Sequence, residues 1–233
     1  MANDILAVYP GRDSALGLMS LFRNGLSLAR TFAQPPAPLV EDLPRGDGRP
    51  VLVVPAFLAG DWATLALRRF LSQLGYRIET AKVTLNFGPT NRLIERLDGA
   101  LLRAAHEAPI DIIGQSLGGV LARDLARRHP DRVRRVITLC SPIRVPITTP
   151  LAPAAQMLSA FYDPDWLARR HAIAGPIGVP VTALYSEDDG VVDWRECLQG
   201  DWPDCRNVRV SGAHATIGSS PSALAAIAHA LSS

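Results

Sequence analysis

The feature that most constrains the fold is an alternation, from residue 51 onward, of short apolar runs with longer segments of helical periodicity. The apolar runs, which we interpret as strands, span residues 51–54, 77–83, 110–113, 133–140, 179–185 and 208–210. The helical segments span residues 62–74, 91–107, 117–129, 154–170 and 222–231. Strands that are apolar on both faces and separated by helices indicate a parallel sheet covered on both sides. We therefore predict an α/β fold with a mostly parallel central sheet of about six strands, flanked by helices.

The size and composition favour one main domain with an N-terminal extension. The chain has 233 residues, of which 48% are hydrophobic and 20% charged, enough apolar material for a substantial core. Residues 1–50 are expected to hold an amphipathic helix, at about 13–33, and a proline-rich link. Residues 51–233 are expected to form the α/β domain. Within it, residues 141–178 form a small insertion that resembles a lid.

The charge pattern disfavours nucleic-acid and membrane partners. The 24 basic residues nearly balance the 22 acidic ones, and the arginines are not interleaved with aromatic side chains that could stack on bases. Arg23 and Arg30 interrupt the apolar N-terminal stretch, which also lacks the basic start and the cleavage site of a signal peptide. We therefore expect a soluble, cytoplasmic protein that does not associate with membranes. The sequence leaves its oligomeric state open.

The sharpest motif is Gly114-Gln115-Ser116-Leu117-Gly118-Gly119, which follows a predicted strand and opens a predicted helix. A strand-to-helix turn this tight forces the serine into a strained conformation, and side chains at positions 114 and 118 would collide. The turn would hold the Ser116 hydroxyl above the sheet, where it could act as a nucleophile. The alternative is a turn in which Ser116 only caps the helix.

A nucleophilic serine needs a histidine base, and His214 is the strongest candidate of the five histidines. It lies in a loop directly after the last predicted strand, whereas the other four lie near helix ends, inside the last helix or between strands. Loops after the carboxyl ends of parallel strands are where an α/β sheet collects its functional groups. The alternative is that His214 is simply exposed to solvent.

The carboxylate that would orient this histidine is expected in the loop after the strand at 179–185, which holds several acidic residues. Gly190 permits a turn that directs the preceding side chain inward, and Val191 and Val192 anchor the loop. This favours Asp189, with Asp188 as the second choice and Asp193 as the third.

These features together resemble the α/β-hydrolase superfamily, in its compact lipase and esterase branch. The resemblance covers residues 51–233 and rests on Pro55-Ala56-Phe57-Leu58, the Ser116 motif, Asp189-Gly190-Val191-Val192 and Gly212-Ala213-His214, in the order Ser, Asp, His. It implies that Ser116 is the nucleophile, His214 the general base and Asp189 its orienting acid. It also implies an oxyanion hole formed by the amides of Phe57 and Leu117. Lipases usually have His-Gly where this chain has Pro55-Ala56.

The implied activity is hydrolysis of carboxylic esters through an acyl-enzyme intermediate, with a small acyl ester as the substrate and no cofactor or metal. Apolar residues around the predicted site favour an apolar acyl chain, and we expect Leu58, Ile143 and Val191 to contact it. The same three catalytic groups would serve a thioesterase or an acyltransferase. A non-catalytic binding protein of the same fold is the remaining alternative.

Cys197 and Cys205 lie close in sequence, between the acid and histidine segments. A disulfide between them would close a short loop and hold these segments in register. A reducing cytoplasm disfavours such a bridge. The sequence leaves the state of these two thiols open.

Overall fold

The centre of the molecule is a six-stranded parallel sheet. A computed structural model describes residues 8–9 and 43–233. The strands are β1 Val8–Tyr9, β2 Pro50–Val54, β3 Arg77–Thr80, β4 Ile110–Gln115, β5 Val133–Leu139, β6 Ile147–Thr148, β7 Val181–Tyr185 and β8 Cys205–Arg209. The main sheet has the order β3-β2-β4-β5-β7-β8, with every neighbouring pair parallel, and β1 pairs with β6 in a separate two-stranded sheet.

Helices connect these strands. The α-helices are α1 Leu65–Leu74, α2 Asn91–Ala104, α3 Leu117–Arg128, α4 Ala152–Leu158, α5 Pro164–Ala174 and α6 Pro221–Ser232. Short 3-10 helices occur at Asp61–Thr64, Pro130–Arg132, Ser159–Phe161, Trp194–Cys197 and His214–Ser219.

Two hydrophobic clusters cover the two faces of the sheet. Every residue of β4 is buried, with Ile112 in one cluster and Ile113 in the other, because successive side chains of a strand point to opposite faces. The first cluster includes side chains of α2, α3 and α5, and the second includes side chains of α1 and α6. Both faces of β4 are therefore covered by other side chains, as the sequence pattern predicts for a parallel sheet.

The predicted class and the six parallel strands are confirmed, and three predicted elements need correction. The strand predicted at 77–83 ends at Thr80. The last strand of the sheet is Cys205–Arg209 rather than 208–210, because it lies at an edge, where its half-buried and exposed residues do not form a continuous apolar run. The helix predicted at 154–170 is two helices. Pro164 starts the second one, and the Asp163 side chain caps it by accepting a hydrogen bond from the Trp166 amide at 2.7 Å.

The N-terminal extension is described only at Val8–Tyr9, which pairs with Ile147–Thr148 in the segment between β5 and α4. The sequence pattern did not predict this pairing. The helix predicted at 13–33 and the proline-rich link lie outside the described residues.

Among the described residues, no helix combines the length and the apolar character needed to span a membrane.

Candidate active site

Ser116 occupies a strained turn between β4 and α3. Its φ and ψ angles are 53° and −125°, a conformation that non-glycine residues rarely adopt. Its amide donates a hydrogen bond to the Leu139 carbonyl at 2.8 Å, which fixes the turn to the end of the neighbouring strand β5. The Ser116 side chain does not cap α3, so its hydroxyl is not occupied by the helix amides. Helix capping therefore does not explain this serine.

The glycines of the motif are required by close backbone approaches. A Cβ atom at Gly114 would lie 2.3 Å from the Gly118 carbonyl oxygen, and one at Gly118 would lie 2.3 Å from the Val54 carbonyl oxygen. Both neighbours are backbone atoms and cannot move aside cheaply. A side chain at position 114 or 118 would thus collide with the backbone, as the sequence predicts.

His214 and Asp189 meet in the loops that follow β8 and β7. The His214 Nδ1 atom lies 2.6 Å from the Asp189 Oδ2 atom, and the two side chains are 8% and 2% exposed. The other carboxylate oxygen, Oδ1, accepts hydrogen bonds from the amides of Val191 at 2.9 Å and Val192 at 2.7 Å. With Oδ1 held by two main-chain donors, Oδ2 is left facing the imidazole in a fixed orientation.

Two further hydrogen bonds fix the histidine loop. The His214 amide donates to the Asp189 carbonyl at 3.1 Å, and the Gln115 side chain donates from Nε2 to the His214 carbonyl at 2.9 Å. Gln115 immediately precedes Ser116, so the segment that holds the serine also holds the histidine. Sequence reasoning did not assign a role to Gln115, although its place inside the motif was a usable signal.

The surroundings of Asp189 favour its charged form. Burial opposes ionisation, but the adjacent His214 and the amides of Val192 and Val191 outweigh it, so the pKa of Asp189 is lowered. The two alternative acids have different surroundings. Asp188 is exposed, and Asp193 caps the helix at Trp194–Cys197 by accepting from the Arg195 amide at 2.9 Å. Of the three candidates, Asp189 is the one that contacts His214.

The loop after β2 packs against the start of α3. In addition to its approach to Val54, a Cβ atom at Gly118 would lie 2.6 Å from the Pro55 carbonyl oxygen. This contact places the loop that contains Phe57 beside Leu117. Within residues 43–233, the amides of Phe57 and Leu117 donate to no protein acceptor.

The three expected acyl contacts differ in exposure. Leu58 is 39% exposed beside Phe57, with a left-handed φ of 56°. Ile143 and Val191 are only 1% and 5% exposed, so they offer almost no surface to a ligand. Burial therefore corrects the expectation for these two residues: the Ile143 side chain is enclosed, and the Val191 side chain packs with Val192 and Cys197.

An exposed apolar groove lies between the loop after β3 and the insertion. Its volume is about 750 Å³. Phe87 and Phe161 on its walls are 48% and 70% exposed. The sequence did not predict this groove, because its two walls are far apart along the chain.

One cluster of ligand-type atoms is present among the described residues, formed by Cys140, Asp189 and His214 within 4.8 Å of one another. The Nδ1 and Oδ2 atoms lie 2.6 Å apart. Two ligands of a tetrahedral zinc ion, each about 2.0–2.2 Å from the metal, would lie about 3.3–3.6 Å apart. Burial and the nearby Asp189 raise the pKa of the Cys140 thiol well above its ordinary value. The donor set therefore fits a proton-sharing pair better than a metal site.

Cys197 and Cys205 are both free thiols, so the structure contains no bridge between the acid and histidine segments. Direct hydrogen bonds between Asp189 and His214 join these segments instead.

Comparison with known proteins identifies the fold. A family model described as the alpha/beta hydrolase fold matches residues 71–176, which include Ser116 but not Asp189 or His214. A search of curated proteins found no match.

Several solved structures are similar to the chain. A thioesterase domain from the curacin biosynthetic pathway has a TM-score of 0.55 and 14% identity, covering 82% of this chain and 93% of its own. A monoacylglycerol lipase from Paleococcus ferrophilus has a TM-score of 0.55 and 16% identity, covering 81% and 94%. The carboxylesterase CesB from Bacillus subtilis has a TM-score of 0.55 and 11% identity, covering 91% and 97%. These likenesses and the family model, together with the parallel sheet and the strained serine turn, show that the chain has the α/β-hydrolase fold.

Proposed function

We propose that this protein is a serine hydrolase that cleaves carboxylic esters of apolar acyl chains through an acyl-enzyme intermediate. The observation that carries the proposal is the buried hydrogen bond between Asp189 and His214, in loops at the same sheet edge as the strained Ser116 turn. A serine, an imidazole and an ionised carboxylate are the three groups that this chemistry requires.

In the first step, the Ser116 Oγ atom attacks the ester carbonyl while the His214 Nε2 atom takes its proton. Asp189 holds the proton of Nδ1 and stabilises the imidazolium that forms. The amides of Phe57 and Leu117 donate to the oxyanion, each contributing about 3 kcal/mol to the transition state. The imidazolium then gives its proton to the leaving alcohol, and the acyl group remains on Ser116.

In the second step, His214 takes a proton from a water molecule, which attacks the acyl-enzyme. The same two amides donate to the second oxyanion. When it collapses, Ser116 leaves and recovers its proton from the imidazolium, so the enzyme returns to its starting state and the acid is released. This sequence of steps needs no group beyond those of the chain and water.

Exposed apolar surface near the site supports an apolar acyl chain. Leu58 is exposed next to Phe57. Phe87, on one wall of the groove, directly follows Asn86, whose main-chain carbonyl accepts a hydrogen bond from the Leu58 amide. Sites for apolar substrates bury much of the ligand against such side chains.

The test is hydrolysis of a series of p-nitrophenyl esters from acetate to palmitate, together with a matched acyl thioester. We expect ester hydrolysis that the Ser116→Ala variant loses, with a preference for medium or long acyl chains. Turnover of the thioester alone would assign a thioesterase. A folded wild-type protein that cleaves neither substrate would contradict the proposal and favour a binding protein of this fold.

A further inference from the structure

The loop that contains Phe57 is clamped by one residue outside the motifs, Asn86. This residue lies in the loop after β3 and is 1% exposed. The Nδ2 atom of its side chain donates to the Pro55 carbonyl at 2.9 Å. Its main-chain carbonyl accepts from the Leu58 amide at 2.7 Å, and its main-chain amide donates to the Ala59 carbonyl at 2.7 Å. Three hydrogen bonds from one residue thus hold both sides of Phe57.

The clamped segment is strained. Leu58 has a φ of 56°, a left-handed conformation that costs a side-chain-bearing residue energy and persists only when its surroundings enforce it. The bond from the Leu58 amide to Asn86 supplies part of that enforcement. The bond from the Asn86 Nδ2 atom to the Pro55 carbonyl is the part of the clamp that depends on the side chain. Without it, the segment between Pro55 and Leu58 is free to relax, and the amide of Phe57 turns away from its present direction.

Asn86 is itself held in place by the residues that follow it and by the insertion. The Asn86 Oδ1 atom accepts a hydrogen bond from the Gly88 amide at 3.0 Å, which orients the side chain. Gly88 has a φ of 111°, and a Cβ atom there would lie 2.2 Å from the Tyr162 ring. The Asp163 amide also donates to the Pro89 carbonyl at 2.8 Å. The insertion therefore supports the loop that supports Phe57.

We propose that Asn86 is a positioning residue, which sets the direction of the Phe57 amide so that this amide can donate to the oxyanion. The inference rests on the proposed hydrolase function. Asn86 acts through the loop and does not touch the substrate. Its contribution belongs to the transition state, because the oxyanion forms only there.

The test compares Asn86→Asp and Asn86→Ala with the control Gln73→Glu, which makes the same change from amide to carboxylate at an exposed position of α1. Asn86→Asp keeps the acceptor for Gly88 but places an oxygen against the Pro55 carbonyl. Asn86→Ala removes the donor without adding a charge. Fluorophosphonate titration to completion counts the competent serines, and ester hydrolysis is then expressed per titrated site.

We expect both Asn86 variants to retain titratable sites and to lose about 100-fold in kcat per site, because a small misplacement of a catalytic group has an effect of that order. KM should stay close to the wild-type value, and Gln73→Glu should match wild type in every measurement.

A fall in the number of titrated sites with normal kcat per site would show that Asn86 only supports folding, and would overturn the proposal. Loss of all titratable sites in both variants would do the same. A wild-type protein without titratable sites would instead refute the hydrolase function itself.

Discussion

Replacing Asp189 by asparagine should abolish most of the activity while the fold remains intact. The carboxylate is 2% exposed, with Oδ1 bound to two amides at 2.9 and 2.7 Å and Oδ2 bound to the His214 Nδ1 atom at 2.6 Å. The two amides select an oxygen at the Oδ1 position of the asparagine. The amide NH₂ group must therefore face Nδ1, which favours the imidazole tautomer with its proton on Nε2.

That tautomer cannot take the proton of Ser116. In enzymes with a Ser-His-Asp triad the corresponding change lowers kcat about 10⁴-fold, which corresponds to about 5.4 kcal/mol of transition-state stabilisation. We expect a loss of this size in kcat for ester hydrolysis. The variant should remain folded, with stability lowered by about 1.5–3 kcal/mol for the lost charged hydrogen bond.

The matched control is Asp188→Asn, one residue earlier on the same loop and exposed. Because Asp189 alone of the two contacts His214, we expect the control to retain wild-type kcat. Both variants are compared by kcat per titrated site and by urea unfolding. Strong inactivation of Asp188→Asn with an active Asp189→Asn would refute the assignment.

Two further predictions concern Gly118, in the turn after Ser116, and the half-buried carboxyl group of Glu196. Gly118→Ala should lower kcat about 100-fold and destabilise the fold by about 1–3 kcal/mol, since its Cβ atom would lie 2.3 Å from the Val54 carbonyl oxygen; near-normal activity would contradict this. Burial raises the pKa of Glu196 to about 7, against the opposing hydrogen bond from the Thr148 amide. The native state thus holds this proton more tightly than the unfolded state, so stability is lost as the pH rises from about 4.5 to about 7. The free energy of unfolding, measured in urea, should therefore fall between pH 5 and pH 8 by about 1 kcal/mol less in Glu196→Gln than in wild type, after allowance for the partial exposure of Glu196. An equal fall in the two proteins would contradict this prediction.

The sequence predicts those parts of the site that depend on local geometry and chain order. The need for glycines around Ser116 can be predicted because the collisions that they avoid come from the turn and from the strand next to it. The proximity of His214 and Asp189 can be predicted because loops after parallel strands lie at one edge of the sheet. The choice of Asp189 over Asp188 follows from the turn at Gly190 and from the anchoring valines.

The parts that sequence reasoning missed depend on contacts between distant segments. Asn86 lies in a loop without periodicity, and its partner Pro55 is 31 positions away, so nothing near Asn86 in the chain marks its role. Ile143 and Val191 are apolar, and an apolar side chain is equally compatible with a binding surface and with packing. Only the tertiary structure distinguishes these, and it buries both.

The most direct test of the central claim is covalent labelling of Ser116 by a fluorophosphonate, followed by peptide mapping. The probe forms a bond only with a serine activated by its base, so we expect one label per chain at Ser116 in the wild type and none in Ser116→Ala. Ser72→Ala, which changes an exposed serine on α1, should label like wild type. Labelling that persists in a folded Ser116→Ala protein, or a folded wild type that does not react, would contradict the assignment of Ser116 as the nucleophile.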